Sequence, residues 1–145
     1  MNLQKDLREF IELLNSHDVR YVLVGGYAVA YHGYPRYTGD VDFFVDTSGD
    51  NPQRLEATLR AFGFEDESLN AELFGVADQI IQLGVPPNRI DILTSISGVA
   101  FDEAWATHER DEIDGLIIPI ISRQLLQRNK QTAARPKDLV DLNYL

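Results

Sequence analysis

The stretch Gly25–Val45, GGYAVAYHGYPRYTGDVDFFV, decides the fold of this chain. It follows an apolar run, Tyr21–Val24, and ends in a second one, Val41–Val45. Both runs have the length and composition of buried strands, and the residues between them suffice for a short helix. Asp40 and Asp42 stand at the start of the second strand. Because Asp is disfavoured in strands and costly to bury without a partner, this pair predicts a compensating positive charge or ion.

The spacing of the acids points to a shared site. Residues two apart in a strand project from the same face, so Asp40 and Asp42 place two like charges side by side. Asp91 is a lone acid in the apolar run 89–93. If the two strands pair, three carboxylates converge into an oxygen cluster of the kind that holds Mg²⁺, and two such ions can serve an in-line displacement. Taken singly, each Asp favours a plainer interpretation, a turn former or an ion-pair partner of a nearby arginine.

The Gly25-Gly26 pair lies between a predicted strand and a predicted helix. Glycines there let the backbone approach a bound group closely and leave helix N–H groups facing it, a favourable place for phosphate. An ordinary turn would use the same residues. The spacing matches neither the Rossmann fingerprint nor the Walker A loop.

The rest of the chain indicates an α/β (α+β) fold, a mixed sheet of four or five strands flanked by helices. Pro119 cannot donate to a strand ladder, which predicts an edge position for the last strand. The predicted strands cover residues 21–24, 41–45, 79–83, 89–93 and 116–121, and the predicted helices residues 3–15, 27–32, 52–63, 100–106, 122–130 and from Pro136 onward.

Length and composition set the outer limits. The 145 residues, 44% of them hydrophobic, predict a single domain over residues 1–145. The absence of cysteine excludes disulfides, thiolate nucleophiles and Cys-ligated zinc, and favours a cytoplasmic location. No uncharged run is long enough to span a bilayer, so no membrane association is expected.

Charge is unevenly distributed. The net charge of −10 argues against a broad nucleic-acid surface. Five of the 13 basic residues nevertheless fall between Ser122 and Asp138. Such a cluster is either a solvated helix face or a local phosphate-binding patch.

The order of strand, Gly-Gly, short helix, Asp-x-Asp strand and later Asp strand resembles the nucleotidyltransferase superfamily with the polymerase-beta-type fold. The similarity is greatest to small bacterial members: minimal nucleotidyltransferases, antibiotic adenylyltransferases and abortive-infection toxin nucleotidyltransferases. The run from Arg36 to Asp42 is similar to their Arg-x-(Thr/Ser/His)-x-Asp-x-Asp segment. Lys130 and the tail Ala134–Leu142 are similar to late motifs of the toxin branch.

The resemblance implies roles for individual residues. Asp40, Asp42 and Asp91 would bind the metals, two Mg²⁺ ions, and Asp91 would also act as, or orient, the base. Asp138 and Asp141 would hold Arg135 or Lys137 in place. The nucleotide would be bound by Gly25, Gly26, Arg36, Thr38, Lys130 and Lys137. Many relatives carry Gly-Ser where this chain has Gly25-Gly26, and larger relatives add a domain for the acceptor.

The function expected from the resemblance is transfer of a nucleoside monophosphate from a nucleoside triphosphate, ATP favoured, to a hydroxyl. The acceptor stays open among a small molecule, RNA and protein, although net acidity suits a cationic small molecule. Two alternatives also stay open: a non-catalytic nucleotide-binding or antitoxin-like module that works with a partner protein, and a metal-dependent phosphohydrolase.

Overall fold

The structure is a computed structural model that describes residues 4–35, 38–85 and 88–145. Helices and strands are interspersed along the chain, as the sequence predicts. In chain order they are α1 Lys5–Ser16, β1 Tyr21–Val24, α2 Gly25–Tyr31, β2 Asp40–Val45, α3 Asn51–Phe62, α4 Ala71–Phe74, β3 Ile80–Leu83, β4 Arg89–Leu93, α5 Phe101–Thr107, β5 Glu109–Ile113, β6 Leu116–Ile120, α6 Arg123–Ala133 and α7 Pro136–Leu142. The five predicted strands agree with β1, β2, β3, β4 and β6 to within one residue at each end. Residue 3, the predicted start of the first helix, lies outside the described residues.

The strands form one mixed, six-stranded sheet in the order β3-β4-β2-β1-β6-β5. β2 pairs antiparallel with β1 and parallel with β4. β1 in turn pairs parallel with β6. The end of β1 and the beginnings of β2 and β4 therefore meet at one end of the sheet.

The sheet has one strand more than predicted, because β5 was not recognised in the sequence. Its residues, ERDEI, show no apolar alternation, since an edge strand can expose charged side chains to water. The turn that joins β5 to β6 was the available signal. Asp114 and Gly115 both have positive φ, the conformation of a two-residue hairpin turn.

The predicted edge position of the last strand is wrong, because β6 lies between β1 and β5. The N–H of Ile121 donates to the carbonyl of Leu23 on β1. The backbone nitrogen of residue 119, two residues earlier, points toward the same neighbouring strand. The ladder to β1 contains only the pair Leu23–Ile120, so β6 holds Pro119 inside the sheet without a ladder pair between residue 119 and β1.

The two faces of β2 pack against different parts of the core. Phe43 points to the α1 side, where its ring meets Phe10 edge-on at 5.3 Å between centroids. Phe44 points to the opposite face and contacts Phe101 of α5 at 5.2 Å. Asp40 and Asp42 share the face of Phe44, and the burial of these rings fixes the register that presents the two acids.

Among the described residues, no helix has the length and apolar character needed to cross a membrane.

Candidate active site

The three acids converge because β2 and β4 are neighbours. Their parallel register sets Asp42 opposite Asp91 and Asp40 opposite Arg89. One carboxylate oxygen from each of Asp40, Asp42 and Asp91 lies within 4.8 Å of the others. The pairing that the sequence argument required is therefore present, and it assembles an oxygen cluster suited to a hard divalent cation.

Arg89 lies at the edge of this cluster. Its Nε donates to Asp91 Oδ1 at 2.8 Å and its Nη2 to Asp91 Oδ2 at 3.0 Å. The same Nη2 reaches Asp40 Oδ2 at 3.2 Å. A single guanidinium thus bridges two of the three carboxylates, the ion pair that the plainer interpretation of these acids allowed.

The carboxyls differ in pKa because they share that charge unequally. Burial raises the pKa of Asp42 to about 7, and the charges of Asp40 and Asp91 add to the shift. Burial acts in the same direction on Asp40, but hydrogen bonds within the cluster and the Arg89 charge outweigh it, so its pKa falls below the usual range. Burial also raises the pKa of Asp91, with Arg89 opposing. The three carboxyls outnumber the one guanidinium and ionisation of Asp42 is disfavoured, so a bound cation would stabilise the charged form of Asp42.

The glycine pair forms the wall beside Asp42. Gly25 has φ +64°, and a Cβ on it would overlap with Oδ2 of Asp42. A Cβ on Gly26 would lie 3.0 Å from both Cβ and Oγ1 of Thr38. Only a chain without side chains at these positions brings the β1–α2 turn this close to the carboxylates.

Thr38 connects that wall to the acids. Its hydroxyl donates to the backbone carbonyl of Asp40 at 2.8 Å and lies 3.2 Å from Asp40 Oδ1. These contacts orient the beginning of β2. Arg36, which the resemblance implied as a nucleotide contact, lies outside the described residues.

The acids and glycines line a cleft of about 550 Å³ together with residues from α6 and α7. Lys130 and Lys137, both predicted to bind the nucleotide, line this cleft. Lys137 is exposed, whereas Lys130 is 3% exposed and paired with Asp138 and Asp141 at 3.0 and 3.1 Å. The cleft thus brings together every predicted site residue that the structure describes.

Sequence reasoning assigned no site role to several residues of the cleft. Ile80 and Gln82 of β3, Arg89 and Asn129 belong to its lining, as does Arg135, which the sequence indicated only as one member of the basic cluster. Gln82 lies opposite Asp91 in the antiparallel pair of the consecutive strands β3 and β4, so the register of that pair places it beside the acids. Arg89 had a local signal, since it precedes Asp91 by two residues and therefore shares its face.

Comparison with known families agrees with this geometry. The family model for Aminoglycoside-2''-adenylyltransferase matches residues 6–145. The chain belongs to this family. Family membership supports nucleotidyl transfer as the reaction class, consistent with the superfamily resemblance of the site motifs. No curated protein matches the chain.

Solved structures share the fold of this family member. A putative nucleotidyltransferase from Thermotoga maritima aligns with a TM-score of 0.60 at 18% identity, over 94% of this chain and 88% of the other. ANT(2")-Ia in complex with adenylyl-2"-tobramycin aligns with a TM-score of 0.53 at 15% identity, over 94% and 83%. At these identities the likeness establishes a nucleotidyltransferase fold.

Proposed function

We propose that the chain is a Mg²⁺-dependent nucleotidyltransferase that moves the nucleoside monophosphate of ATP to a hydroxyl of a polycationic small molecule, with an aminoglycoside as the first acceptor to test. The observation that carries this proposal is the convergence of three carboxylates beside the side-chain-free turn at Gly25-Gly26. The family name supplies the acceptor class. The net charge of −10 favours the approach of a cation.

The donor set fits the metal. Asp40, Asp42 and Asp91 offer only carboxylate oxygens, the ligands that Mg²⁺ prefers, and at least one oxygen of each lies within 4.8 Å of the others. When bound, Mg²⁺ would neutralise phosphate charge at the reacting centre. The raised pKa of Asp42 supports this assignment, since like charges that repel one another in the metal-free protein would gain a shared counter-ion.

The residues of the chain account for the remaining requirements of the reaction. In the transfer, the acceptor hydroxyl oxygen forms a bond to the α-phosphorus, and the bond from that phosphorus to the bridging oxygen breaks. Pyrophosphate leaves with the electron pair. Asp91 would accept or orient the proton of the hydroxyl, and its raised pKa brings it closer to the range useful for a base. The turn at Gly25-Gly26 lets backbone lie against the phosphates.

Calorimetric titration with ATP, in the presence and absence of Mg²⁺, tests the donor half of the proposal. Native protein is expected to bind ATP in a metal-dependent way, and Asp40→Asn/Asp42→Asn to lose that binding. Asp6→Asn/Asp102→Asn, which removes one exposed carboxylate from α1 and one from α5, is the matched control. Failure of the folded native chain to bind any nucleoside triphosphate would refute the proposal.

Incubation with ATP labelled at the α-phosphate and a panel of aminoglycosides tests the acceptor half. The expected product is a labelled aminoglycoside together with pyrophosphate. Release of labelled AMP without labelled acceptor would instead identify a phosphohydrolase. Metal-dependent ATP binding without any transfer across the panel would move the search to RNA or protein hydroxyls and contradict the aminoglycoside assignment.

A further inference from the structure

Three basic side chains from the α6–α7 pair line the cleft, and they differ in their ion-pair partners within the protein. Lys130 Nζ lies between Asp138 and Asp141, which are both 0% exposed. Two buried carboxylates thus contact this single ammonium group. Lys130 is therefore held in the protein interior by a strong ion-pair network, and little of its charge is available to a ligand in the cleft.

Arg135 shares Asp138 with Lys130 but faces outward. Its Nε donates to Asp138 Oδ2 at 2.7 Å and its Nη2 to Asp138 Oδ1 at 3.1 Å. The side chain is 57% exposed although its anchor is fully buried. A guanidinium has five N–H groups, so a bidentate contact with one carboxylate leaves three for other acceptors, and Arg135 lines the cleft.

The backbone also fixes Arg135. Ala134 ends α6 in the left-handed conformation, with φ 50° and ψ 30°, which is uncommon for a residue with a side chain. Arg135 then precedes α7, and its own N–H donates to Asp138 Oδ2 at 3.1 Å. Pro136 follows in the first turn of that helix. Backbone and side chain are thus both held before any ligand arrives, which lowers the entropy lost on binding.

The third cation, Lys137, is exposed and lines the same cleft on a flexible four-carbon stem. An ammonium acts as a point charge, whereas an arginine fork offers paired donors that match phosphate oxygens. Hydrogen bonds to Asp138 raise the pKa of Arg135, and Asp42 adds to this effect, so the arginine and the acid cluster are within electrostatic reach. A triphosphate whose α-phosphate lies at the acids would therefore extend its remaining charge toward such a cation.

We propose that Arg135 is the arginine that binds the β- and γ-phosphates of the donor, with Asp138 as its positioning residue and Lys130 as a structural counter-ion. This inference rests on the proposed function. It gives the leaving pyrophosphate a fixed positive partner in a protein whose overall charge repels it.

The test compares the affinities of Mg·ATP, Mg·pyrophosphate and AMP for native protein, Arg135→Gln and Arg135→Lys by calorimetry. Arg135→Gln is expected to weaken Mg·ATP and Mg·pyrophosphate about 10- to 100-fold and to leave AMP nearly unchanged. Arg135→Lys, which keeps the charge without the fork, is expected to fall between native and Gln. Thermal unfolding of each variant confirms that the protein measured is folded.

Arg128→Gln is the matched control. This arginine lies on α6 in an exposed ion pair with Glu103 and does not line the cleft. Unchanged ATP affinity in Arg135→Gln, or a loss as large for AMP as for ATP, would overturn the assignment of Arg135. A large loss of ATP affinity in Lys137→Gln, with none in Arg135→Gln, would also overturn it. If native protein binds no triphosphate, the proposed function fails and this inference fails with it.

Discussion

Two aspartates only two residues apart are expected to affect stability in opposite directions. Asp42 has a folded-state pKa of about 7 against an ordinary value of 3.8, so its contribution to stability is complete below pH 3.8 and is lost as pH rises through 7. Asp40 has a lowered pKa and accepts hydrogen bonds from Thr38 and Arg89. Its ionised form therefore stabilises the fold above pH 3.8.

With a metal chelator present at pH 8, Asp42→Asn is expected to stabilise the protein by about 1–2 kcal/mol, because it removes a carboxylate that Asp40 and Asp91 repel. Asp40→Asn is expected to give no gain, or a loss of up to about 1 kcal/mol. Thermal unfolding at pH 8 and pH 4 measures both, and the gain from Asp42→Asn should disappear at the lower pH. Destabilisation by Asp42→Asn at pH 8 would show that its carboxylate is not under electrostatic strain, and would weaken the argument for a cation site.

At the scale of elements, the turn from β1 to α2 connects backbone conformation to the site. Gly25 and Gly49 have nearly the same positive φ, +64° and +59°. A Cβ on Gly49 would meet nothing within 4 Å, whereas one on Gly25 would overlap with the Asp42 carboxylate. The two glycines thus separate the cost of backbone strain from the cost of contact with the acid.

Gly49→Ala is expected to cost about 1 kcal/mol, the penalty for a side chain in the left-handed region. Gly25→Ala is expected to cost about 1–3 kcal/mol more, because the methyl group must displace Asp42. Urea unfolding measures both losses, and calorimetry should show that only Gly25→Ala also weakens Mg²⁺-dependent ATP binding. Equal losses with intact binding in both variants would mean that Asp42 moves away freely.

The same elements show how far sequence reasoning reaches. Apolar runs and breakers located β1, β2, β3, β4 and β6 because a buried strand carries its own local signal. The charged strand β5 carries none, and Pro119 was misassigned to an edge because the short ladder between β1 and β6, which does not include Pro119, is a non-local pairing. The spacing of Asp40 and Asp42 fixed their common face, but their approach to Asp91 required the pairing of β2 with β4, which is non-local. The ion pairs that the Asp138 carboxylate forms with both Lys130 and Arg135 likewise arise only when α6 and α7 pack together.

For the whole molecule, an excess of acidic residues coexists with a cleft that, under the proposed function, accepts a polyanion. The chain meets both demands by confining a group of cations to the α6–α7 end and anchoring two of them on fully buried carboxylates. Burial of such a network is costly unless each charge stays paired. The integrity of the folded protein is therefore coupled to the same Asp138 that orients Arg135 in the cleft.

This coupling predicts a specific response to acid. Burial disfavours the ionised form of Asp138, but hydrogen bonds from Arg135 and Lys130 outweigh it and lower its pKa to about 2. Because the folded-state pKa is below the ordinary 3.8, Asp138 stabilises the protein above pH 3.8, and this contribution is lost as pH falls toward 2. Asp138→Asn is expected to cost about 2–3 kcal/mol at pH 7 and much less near pH 2. Urea unfolding between pH 2 and pH 7 should give converging curves for native and variant protein, whereas exposed Asp102→Asn should follow the native curve throughout. If the native and Asp138→Asn curves instead stay parallel, the negative charge of Asp138 does not contribute to stability. Its ionised form would then not be what stabilises the positions of Lys130 and Arg135.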